Sequence, residues 1–342
     1  MDLIICDIPW YSGLSHYALE VGRVLVNAGI TVYWATPEGT DLWSRLKNEK
    51  FNLLPIKSRH SRHFFSNYSS ITKGLDKQSP ERILSFTGSS LLLGYFLKRR
   101  YKSKLFRFRT ESLKLKKNIF NRMLYNKCDY VVAGNKKIES EINGIGISKT
   151  AVIYSPVDYE LYHQLSPERV KKIGFLGRLD YIKGFDILIP AMNHIWERYP
   201  DITLHIAGRE VNYKWPEIRD RFHGPVYYHG YLNHDQVIDF LKDMDLGVLP
   251  SKGSEMTSRA LLEWWSSAKP VIASRVGIFP ELIEHKKNGY LISPENSDEL
   301  TEAIIFFIKN PEFLKTTGMW GLNKVKIELS FKVFSDNLKK IL

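Results

Sequence analysis

The sequence LGVLPSKGSEMTSRALLEWWSSAKPVIASRVGIFPELI, residues 246–283, is the stretch that decides the fold. It begins with a short apolar run at 246–249, continues through a polar loop, and then shows helical spacing over 257–267. A second apolar run at 270–274 leads through a glycine turn into another helix. The pattern predicts a β-loop-α-β unit.

Two glutamates lie eight positions apart in this unit, Glu255 in the loop and Glu263 in the second turn of the helix. In open α/β sheets, ligands bind beyond the carboxyl ends of the strands, where such loops gather. A helix N-terminus, here introduced by Ser254 and Glu255, suits a phosphate, and carboxylates accept hydrogen bonds from ligand hydroxyls. The combination favours a nucleotide-sugar site. By itself, however, such a pair is more often solvated surface.

The composition is that of a globular protein with two ordinary domains. The chain has 342 residues, of which 44% are hydrophobic and 25% charged. Its two cysteines, Cys6 and Cys128, lack the spacing of a disulfide framework or zinc site, which favours a reducing compartment. No basic segment or cleavage site follows Met1, and the longest apolar runs are too short for a bilayer. We therefore expect a cytoplasmic protein without a signal peptide.

The net charge of +12 is concentrated in the first half of the chain. Residues 1–165 carry +11, whereas residues 166–342 carry +1. Residues 98–127 hold 12 basic side chains and the single acid Glu111, with aromatic and aliphatic residues between them. Such a segment can bind an anionic membrane surface or nucleic acid. For any one lysine, a solvated basic face is the more common explanation.

The first half alternates strands with helices. A predicted strand at 2–8 is followed by a loop at 9–15, a helix, and a strand at 31–35. Gly13 in the loop would let a ligand approach the backbone, although an ordinary turn explains it about as well. His16 beside it is more often packing or capping than chemistry. Further strands are predicted at 82–86, 105–109, 130–133 and 151–154, and helices at 89–97 and 116–126. This alternation implies a parallel, doubly wound sheet.

A turn-rich segment at 155–168 lacks periodicity, and we interpret it as an interdomain linker. A second alternating series follows, with strands at 173–177, 203–207 and 226–229 and helices at 185–198 and 234–242 before the opening unit. We expect an N-terminal domain at 1–160, a C-terminal domain at 161–328, and a final helix at 329–342 that packs back on the N-terminal domain.

Several motifs of the second half resemble those of retaining glycosyltransferases of family 4. That family has the GT-B fold, in which two Rossmann-like domains face each other across a cleft. The motifs are GRLDYIKG at 177–184, HIAGRE at 205–210, YYHGYL at 227–232, the two glutamates with PVIAS at 270–274, VGIFPELI at 276–283 and NGYLISP at 288–294. Their order and spacing match the family throughout 173–295. The first half resembles the family's acceptor domain only through the Gly13 loop and SPVD at 155–158.

The resemblance implies roles for these residues toward a nucleoside diphosphate sugar. Arg178 and Lys183 would neutralise the charge that develops on the leaving diphosphate. Glu255 would hold hydroxyls of the donor sugar, and Glu263 those of the ribose. The other residues implied in donor binding are Gly13, Arg209, Gly230, Tyr231, Leu232, Met256, Thr257 and Ser258.

Two places depart from the family pattern. After the first glutamate the family usually has small residues with glycine, whereas this chain has Met-Thr-Ser at 256–258, so the donor sugar stays open. The family's first domain often carries a histidine after its central strand, where this chain has FRFRTES at 106–112. Glu111 or Arg109 is a candidate for that place. A structural salt bridge between these two residues is equally compatible with the sequence.

No Asp-x-Asp motif presents an obvious metal-nucleotide site. Asp243-Met244-Asp245 has that spacing but precedes the buried-looking strand at 246–249, so we interpret it as structural. We expect no metal and no cofactor, because cations of the protein would replace magnesium in neutralising the diphosphate.

The expected function is retaining transfer of a hexose from a UDP- or GDP-sugar to a hydroxyl of a glycan or lipid-linked acceptor, in cell-envelope polysaccharide or lipopolysaccharide synthesis. The basic first domain would then contact the inner face of the membrane. A GT-B-fold epimerase or phosphorylase shares the architecture, although the cofactor lysine site of a phosphorylase is not found. Nucleic-acid binding is suggested by charge alone, without a binding motif, and is not expected.

Overall fold

The computed structural model describes residues 1–58, 63–111, 113–253 and 255–342. The chain divides into two compact units. The first domain comprises Met1–Pro156 and Phe334–Leu342, and the second domain comprises Val157–Val333.

The first domain is a parallel α/β sheet. Its strands are β1 (Asp2–Ile5), β2 (Val32–Pro37), β3 (Asn52–Ile56), β4 (Arg82–Ser85), β5 (Lys104–Arg109), β6 (Tyr130–Ala133) and β7 (Thr150–Val152). Its helices are α1 (Gly13–Asn27), α2 (Asp41–Asn48), α3 (Phe64–Leu75), α4 (Gly88–Tyr101), α5 (Ile119–Tyr125) and α6 (Lys136–Asn143). The strand order is β3-β2-β1-β4-β5-β6-β7, all neighbours being parallel. β1 is buried at each of its residues, as expected for a central strand covered on both faces.

The second domain is a second parallel sheet. Its strands are β8 (Lys172–Leu176), β9 (Thr203–Ala207), β10 (Val226–Tyr228), β11 (Leu246–Leu249), β12 (Val271–Ser274) and β13 (Tyr290–Ile292). Its helices are α7 (Phe185–Arg198), α8 (Trp215–Arg219), α9 (His234–Asp243), α10 (Arg259–Ser266), α11 (Phe279–Leu282), α12 (Ser297–Lys309) and α13 (Pro311–Lys324). The strand order is β10-β9-β8-β11-β12-β13. A π-helical turn, Val325–Leu329, and α14 (Phe331–Lys339) complete the chain.

Two tryptophans fix the position of α10 in the second domain. Trp264 is fully buried against the sheet, where a Cβ atom on Gly174 of β8 would lie 2.4 Å from its indole and one on Gly247 of β11 would lie 2.6 Å away. Trp265 is equally buried against α13, where a Cβ atom on Gly321 would lie 2.3 Å from its ring. Because each large ring faces a glycine, α10 is held close to both layers. This packing sets the position of the preceding residue, Glu263.

The end of the chain is grouped with the first domain. The ring of Phe334 lies edge-to-face against Tyr17 of α1, with 5.4 Å between centroids. The Arg82 guanidinium donates a 2.8 Å hydrogen bond to the backbone oxygen of Leu342. Among the described residues, no helix combines the length and the apolar character that crossing a membrane requires.

Candidate functional site

A lysine and a glutamate from two loops meet at the carboxyl edge of the second-domain sheet. Lys183 ends a 3₁₀ turn, Tyr181–Lys183, that follows β8, and Glu255 lies in the loop after β11. The Lys183 ammonium donates to Oε1 of Glu255, and the Ser251 hydroxyl donates to the same oxygen at 2.6 Å. Glu255 is only 5% exposed. The sequence assigned these residues to different parts of a ligand, whereas the structure joins them in one ion pair.

Two glycines allow the loops that carry this pair to approach each other. Gly184 has φ +80°, and a Cβ atom there would lie 2.0 Å from the backbone oxygen of Pro250. Gly277 has φ +57°, and a Cβ atom there would lie 2.2 Å from the backbone oxygen of Glu255. The N–H group of Ile278 donates to that same oxygen at 2.7 Å. A side chain at either glycine would therefore push the pair apart.

Arg178 follows β8 and presents a largely exposed guanidinium. Its side chain is 55% exposed and pairs with Asp180 at 3.1 Å. Asp180 is itself buried and accepts a 3.2 Å hydrogen bond from the N–H group of Ile182, which caps the 3₁₀ turn. Arg178 is thus tethered at the edge of the sheet, and most of its fork stays accessible to an anion.

The N-terminus of α10 faces the same edge, and its N-cap residue supplies no side-chain cap. The N-cap residue Ser258 has φ +29° and makes no capping hydrogen bond through its side chain. Its hydroxyl is buried, with no hydrogen-bond partner in the described part of the chain. The first-turn N–H groups and the helix dipole favour an anion here. Met256 and Thr257 before it are half-buried, while Ser254, which the sequence analysis placed at the helix start, lies outside the described residues.

Glu263 lies one turn into α10 and is buried within a polar cluster. It is 6% exposed and forms a 2.6 Å ion pair with Arg259, one turn earlier on the same helix. The Arg259 guanidinium also lies 3.3 Å from Nδ1 of His234 at the start of α9. The ring of Tyr162 packs edge-to-face on His234, with 6.0 Å between centroids. Burial, together with the nearby charge of Glu263, raises the pKa of Tyr162.

Sequence reasoning missed the partners of Glu263. The spacing of Arg259 and Glu263, four residues apart on a predicted helix, was a usable signal. Tyr162 offered none, because it lies in the turn-rich segment that was interpreted as a linker.

Four of the residues implied in donor binding, Arg209 and Gly230–Leu232, lie beyond β9 and β10. The Arg209 guanidinium stacks 4.1 Å above the ring of Tyr231, which is 52% exposed. Gly230, with φ +68°, accepts a 2.8 Å hydrogen bond from the N–H group of Gly208. Leu232 is half-buried beside them. This edge offers an exposed aromatic face and backbone groups, which together can hold a planar heterocycle.

The other two implied residues, Gly13 and Glu111, belong to the first domain. Gly13 is the first residue of α1, whose N-cap Ser12 makes no side-chain capping bond. His16 in the next turn accepts or donates a 3.1 Å hydrogen bond with Tyr11 and lies 3.7 Å from Glu20. Both contacts are with neighbouring side chains, which agrees with the packing explanation of His16.

Glu111 is held by two arginines at the carboxyl end of β5. Nη2 of Arg107 donates to both carboxylate oxygens, at 2.5 and 2.7 Å, while Nη1 of Arg109 lies 3.5 Å away. The salt bridge between Arg109 and Glu111 that the sequence allowed is present. Arg107 makes a second and shorter salt bridge to the same carboxylate. Ser112, the last residue of FRFRTES, lies outside the described residues. A cavity of about 430 Å³ adjoins this pair, with Thr87, Ser89, Lys114 and Phe120 among its lining residues.

In the described ranges, no three His, Cys, Asp or Glu side chains are grouped so that they could hold a metal ion. Oδ2 of Asp245 accepts hydrogen bonds from the N–H groups of Lys171 and Lys172, each at 2.8 Å, at the start of β8. This contact agrees with a structural role for Asp243-Met244-Asp245.

Comparisons with known proteins agree with this architecture. The family model for glycosyl transferases group 1 matches residues 160–321. Spore coat protein SA of Bacillus subtilis (strain 168) is 27% identical over 224 residues, which cover 57% of this chain. The chain spans only 58% of the length of that relative.

Solved structures match over nearly the whole chain. The crystal structure of Anabaena HepE in complex with UDP has a TM-score of 0.83 at 17% identity and covers 99% of both chains. The lipopolysaccharide outer core galactosyltransferase WaaB has a TM-score of 0.78 at 18% identity, covering 99% of this chain and 98% of its own. At these identities the likeness shows the fold, and the predicted fold class, two parallel-sheet α/β domains of the GT-B type, is confirmed. Residues 160–321, slightly less than half of the chain, are similar to the glycosyl transferases group 1 family and lie within the second domain.

Proposed function

We propose that this protein is a retaining glycosyltransferase that moves a hexose from a nucleoside diphosphate sugar, with uridine or guanosine as the nucleoside, to a hydroxyl of a glycan or lipid-linked acceptor. The ion pair of Lys183 and Glu255 beside the uncapped N-terminus of α10 carries the proposal. It sets a cation, a hydroxyl-binding carboxylate and an anion-binding helix end at one edge of a parallel sheet. A diphosphate joined to a sugar needs these three features within a short distance.

The residues divide the donor between them. The α10 N-terminus, Arg178 and Lys183 bind the diphosphate and stabilise its charge as the bond to the sugar breaks. Glu255, held by Lys183 and Ser251, accepts hydrogen bonds from hydroxyls of the hexose, while Glu263 accepts those of the ribose.

Transfer then proceeds on one face of the sugar. The bond between the anomeric carbon and the leaving phosphate oxygen breaks, and the acceptor oxygen bonds to that carbon from the same side. The acceptor proton passes to an oxygen of the leaving diphosphate. Positioning and preorganised charge supply the rate acceleration, and a metal ion is not needed for charge neutralisation.

Two measurements test this proposal. A thermal-shift panel of UDP-, GDP- and ADP-hexoses should show stabilisation by one nucleotide class, about 2.7 kcal/mol at 100 times its dissociation constant. Incubation with the labelled nucleotide sugar of that class should give a glycoside, or slow hydrolysis of the donor. NMR should show that the product keeps the anomeric configuration of the donor. Excess EDTA should leave the reaction rate unchanged. Release of an epimerised nucleotide sugar would favour the epimerase instead, and no stabilisation by any nucleotide sugar would reject the proposal.

The acceptor side is proposed to act at an anionic membrane surface in envelope polysaccharide or lipopolysaccharide synthesis. Residues 98–127 do not form one basic face. Arg107 and Arg109 are buried around Glu111. Lys98 pairs with Asp129 at 2.6 Å and also donates to the backbone oxygen of Lys127. The exposed part is what we call the apolar-basic surface, made of Leu113, Lys114, Lys116, Lys117, Ile119, Phe120, Arg122 and Met123.

Exposure and charge support this surface as the contact with lipid. Ile119 is 86% exposed and Leu113 is 68% exposed, values that are unusual for large aliphatic side chains in water. Cations interleaved with them attract acidic headgroups, and the apolar side chains enter the interface. Nucleic acid would be attracted by the cations but would not cover the aliphatic side chains.

Liposome flotation tests the surface. The wild type should float with vesicles that contain acidic lipid and much less with neutral vesicles, and Ile119→Glu should abolish flotation. Phe65→Glu is the matched control, because Phe65 is 83% exposed on α3 and lies outside the apolar-basic surface. Equal binding of the wild type to neutral and acidic vesicles, or normal flotation of Ile119→Glu, would contradict this contact.

A further inference from the structure

The cluster around Glu263 contains a hydroxyl that the proposed reaction does not yet use. Tyr162 is 4% exposed, and its hydroxyl has no hydrogen-bond partner among the described residues. Buried side-chain hydroxyls normally have a partner, so one without it requires an explanation. Here the Arg259 and Glu263 side chains lie close enough to the hydroxyl to influence its pKa, but neither makes a hydrogen bond of normal geometry with it.

The donors and acceptors around this hydroxyl restrict which chemical group of a ligand can bind there. Glu263 is an acceptor, and Arg259 and the Tyr162 hydroxyl are donors. A vicinal diol matches such a set, because each of its hydroxyls can donate to the carboxylate and accept from a neighbouring donor at once. A phosphate does not fit, because it would place negative charge against the carboxylate of Glu263.

The Arg259 side chain occupies the place where such a diol would meet Glu263. Its Nε binds Oε1 of Glu263, while 37% of the side chain is exposed. Arg259 is the exposed member of the pair, so its guanidinium can turn into solvent provided that the diol takes over the hydrogen bonds of the buried Glu263 carboxylate. The diol would then take over the hydrogen bond to Glu263 and approach the Tyr162 hydroxyl beside it.

From this geometry we infer that Tyr162 is a ribose-binding residue that makes the site selective for ribonucleotides over deoxyribonucleotides. The inference rests on the proposed function, which places the ribose at Glu263. Tyr162 does not touch the reacting atoms, so it acts on donor affinity and on the choice of sugar in the nucleotide.

Calorimetric titration with UDP, GDP and ADP tests the inference. The tightest binder is then compared with its 2′-deoxy and 3′-deoxy analogues on wild type and Tyr162→Phe. The variant should bind the ribonucleotide about tenfold more weakly, as expected for the loss of one hydrogen bond in a buried site. Tyr162→Phe and the wild type should bind one of the two deoxy analogues equally well. That analogue already lacks the ribose hydroxyl that Tyr162 would contact.

Stability of the free protein provides the second readout. Tyr162→Phe keeps the ring on His234 and removes only an unpartnered hydroxyl, so its melting temperature should equal or exceed that of the wild type. Tyr159→Phe, the same substitution three residues earlier, is the matched control and should leave nucleotide affinity unchanged.

The outcomes separate the inference from the function on which it rests. If the wild type binds a ribonucleotide and Tyr162→Phe binds it equally well, the role of Tyr162 is overturned and the proposed function stands. An equal loss with the ribonucleotide and both deoxy analogues also overturns that role, because Tyr162 would then act through the fold. If none of the three nucleotides binds the wild type, the proposed function fails and the inference fails with it.

Discussion

Each sheet carries a carboxylate paired with a cation at its carboxyl edge, and the two pairs have different surroundings. Arg107 in the first domain is fully buried and donates to two backbone carbonyl oxygens as well as to Glu111. Lys183 in the second domain keeps 20% of its side chain exposed. Its partner Glu255 also accepts a hydrogen bond from the hydroxyl of Ser251, four residues earlier in the chain. A cation enclosed by backbone acceptors holds its domain together, whereas a partly exposed cation can exchange its partner for a ligand.

Glu111 belongs to the more enclosed of the two pairs, and its catalytic role stays a proposal. Its carboxylate is 15% exposed and is engaged by Arg107 through both oxygens. Both carboxylate oxygens already accept from arginine, which leaves fewer of their lone pairs for an acceptor hydroxyl. The structure therefore favours the structural salt bridge for Glu111 over the catalytic role.

The largest effect is expected from Arg107→Met, which breaks the first-domain pair while keeping side-chain volume. The variant leaves Glu111 with only the 3.5 Å contact to Arg109 and removes a donor from two backbone oxygens, so the free energy of unfolding should fall by about 3 kcal/mol. Chemical unfolding measures the loss. Arg99→Met, at an exposed position of α4, is the control and should change stability by less than about 0.5 kcal/mol. If Arg107→Met unfolds at the same denaturant concentration as the wild type, the Arg107–Glu111 pair does not stabilise the first domain.

Arg178→Ala should instead affect turnover and leave the fold intact. The loss of a preorganised cation at the leaving diphosphate should lower kcat by about 10²–10³, or about 2.7–4 kcal/mol. The exposed pair with Asp180 contributes little stability, so the melting temperature should barely change. Donor hydrolysis or transfer measures kcat, with Arg219→Ala on α8 as an exposed control. Near-normal kcat in Arg178→Ala would break the assignment of this edge to the diphosphate.

Gly277→Ala tests whether the second-domain pair depends on close loop packing. The added Cβ atom would collide with the backbone of Glu255, and φ +57° disfavours alanine, so stability should fall by about 1–3 kcal/mol and the donor affinity should fall with it. Gly253→Ala in the same loop is the matched control, because a Cβ atom there meets no atom within 4 Å. Equal behaviour of the two variants in thermal unfolding and donor titration would show that the loop tolerates displacement.

The smallest effect concerns pH and lies away from both pairs. Burial and the neighbouring His229 lower the pKa of His205 to about 4. Nδ1 of His205 lies 3.0 Å from Nε2 of His229. The unfolded chain binds a proton at this histidine near its ordinary pKa of 6.5, whereas the folded chain does so only near 4. Stability is therefore full above pH 6.5 and is lost progressively as the pH falls toward 4. The effect is modest because His205 is partly exposed to solvent.

Unfolding curves between pH 7 and 4 check this expectation. His205→Gln should show a shallower loss of stability over that window than the wild type. His194→Gln, on the exposed face of α7, is the control and should follow the wild-type curve. A wild-type curve that is flat between pH 6.5 and 4 would contradict the histidine pair as an acid-sensitive contact.

Periodicity predicted the central elements of the sheets well. The helix at 185–198 and the strands at 203–207 and 246–249 have the same bounds in the structure. These elements bury a continuous apolar face, so the spacing of their apolar residues follows the geometry directly. The predicted helix at 116–126 is shorter, Ile119–Tyr125, because the side chain of Asn118 caps it by accepting from the N–H group of Asn121.

Elements at the periphery escaped sequence reasoning. β3 was missed because it contains Pro55 and is partly exposed, a combination that is compatible with an edge strand but obscures alternation. α2 and α3, which flank it, were missed with it. The apolar patterns of edge elements are weak because only part of each element is buried.

The sequence by itself determined the alternating α/β pattern and predicted a set of residues for a nucleoside diphosphate sugar, because apolar periodicity and motif order are local properties. Only the tertiary structure decided which of these residues meet. Lys183 and Glu255 are 72 positions apart, and they touch because Gly184 and Gly277 let their loops approach. Contacts across such separations depend on the packing of whole layers, which no local pattern encodes. The fully buried Arg107 beside Glu111, and the Tyr162 hydroxyl that lacks a hydrogen-bond partner among the described residues, became visible for the same reason.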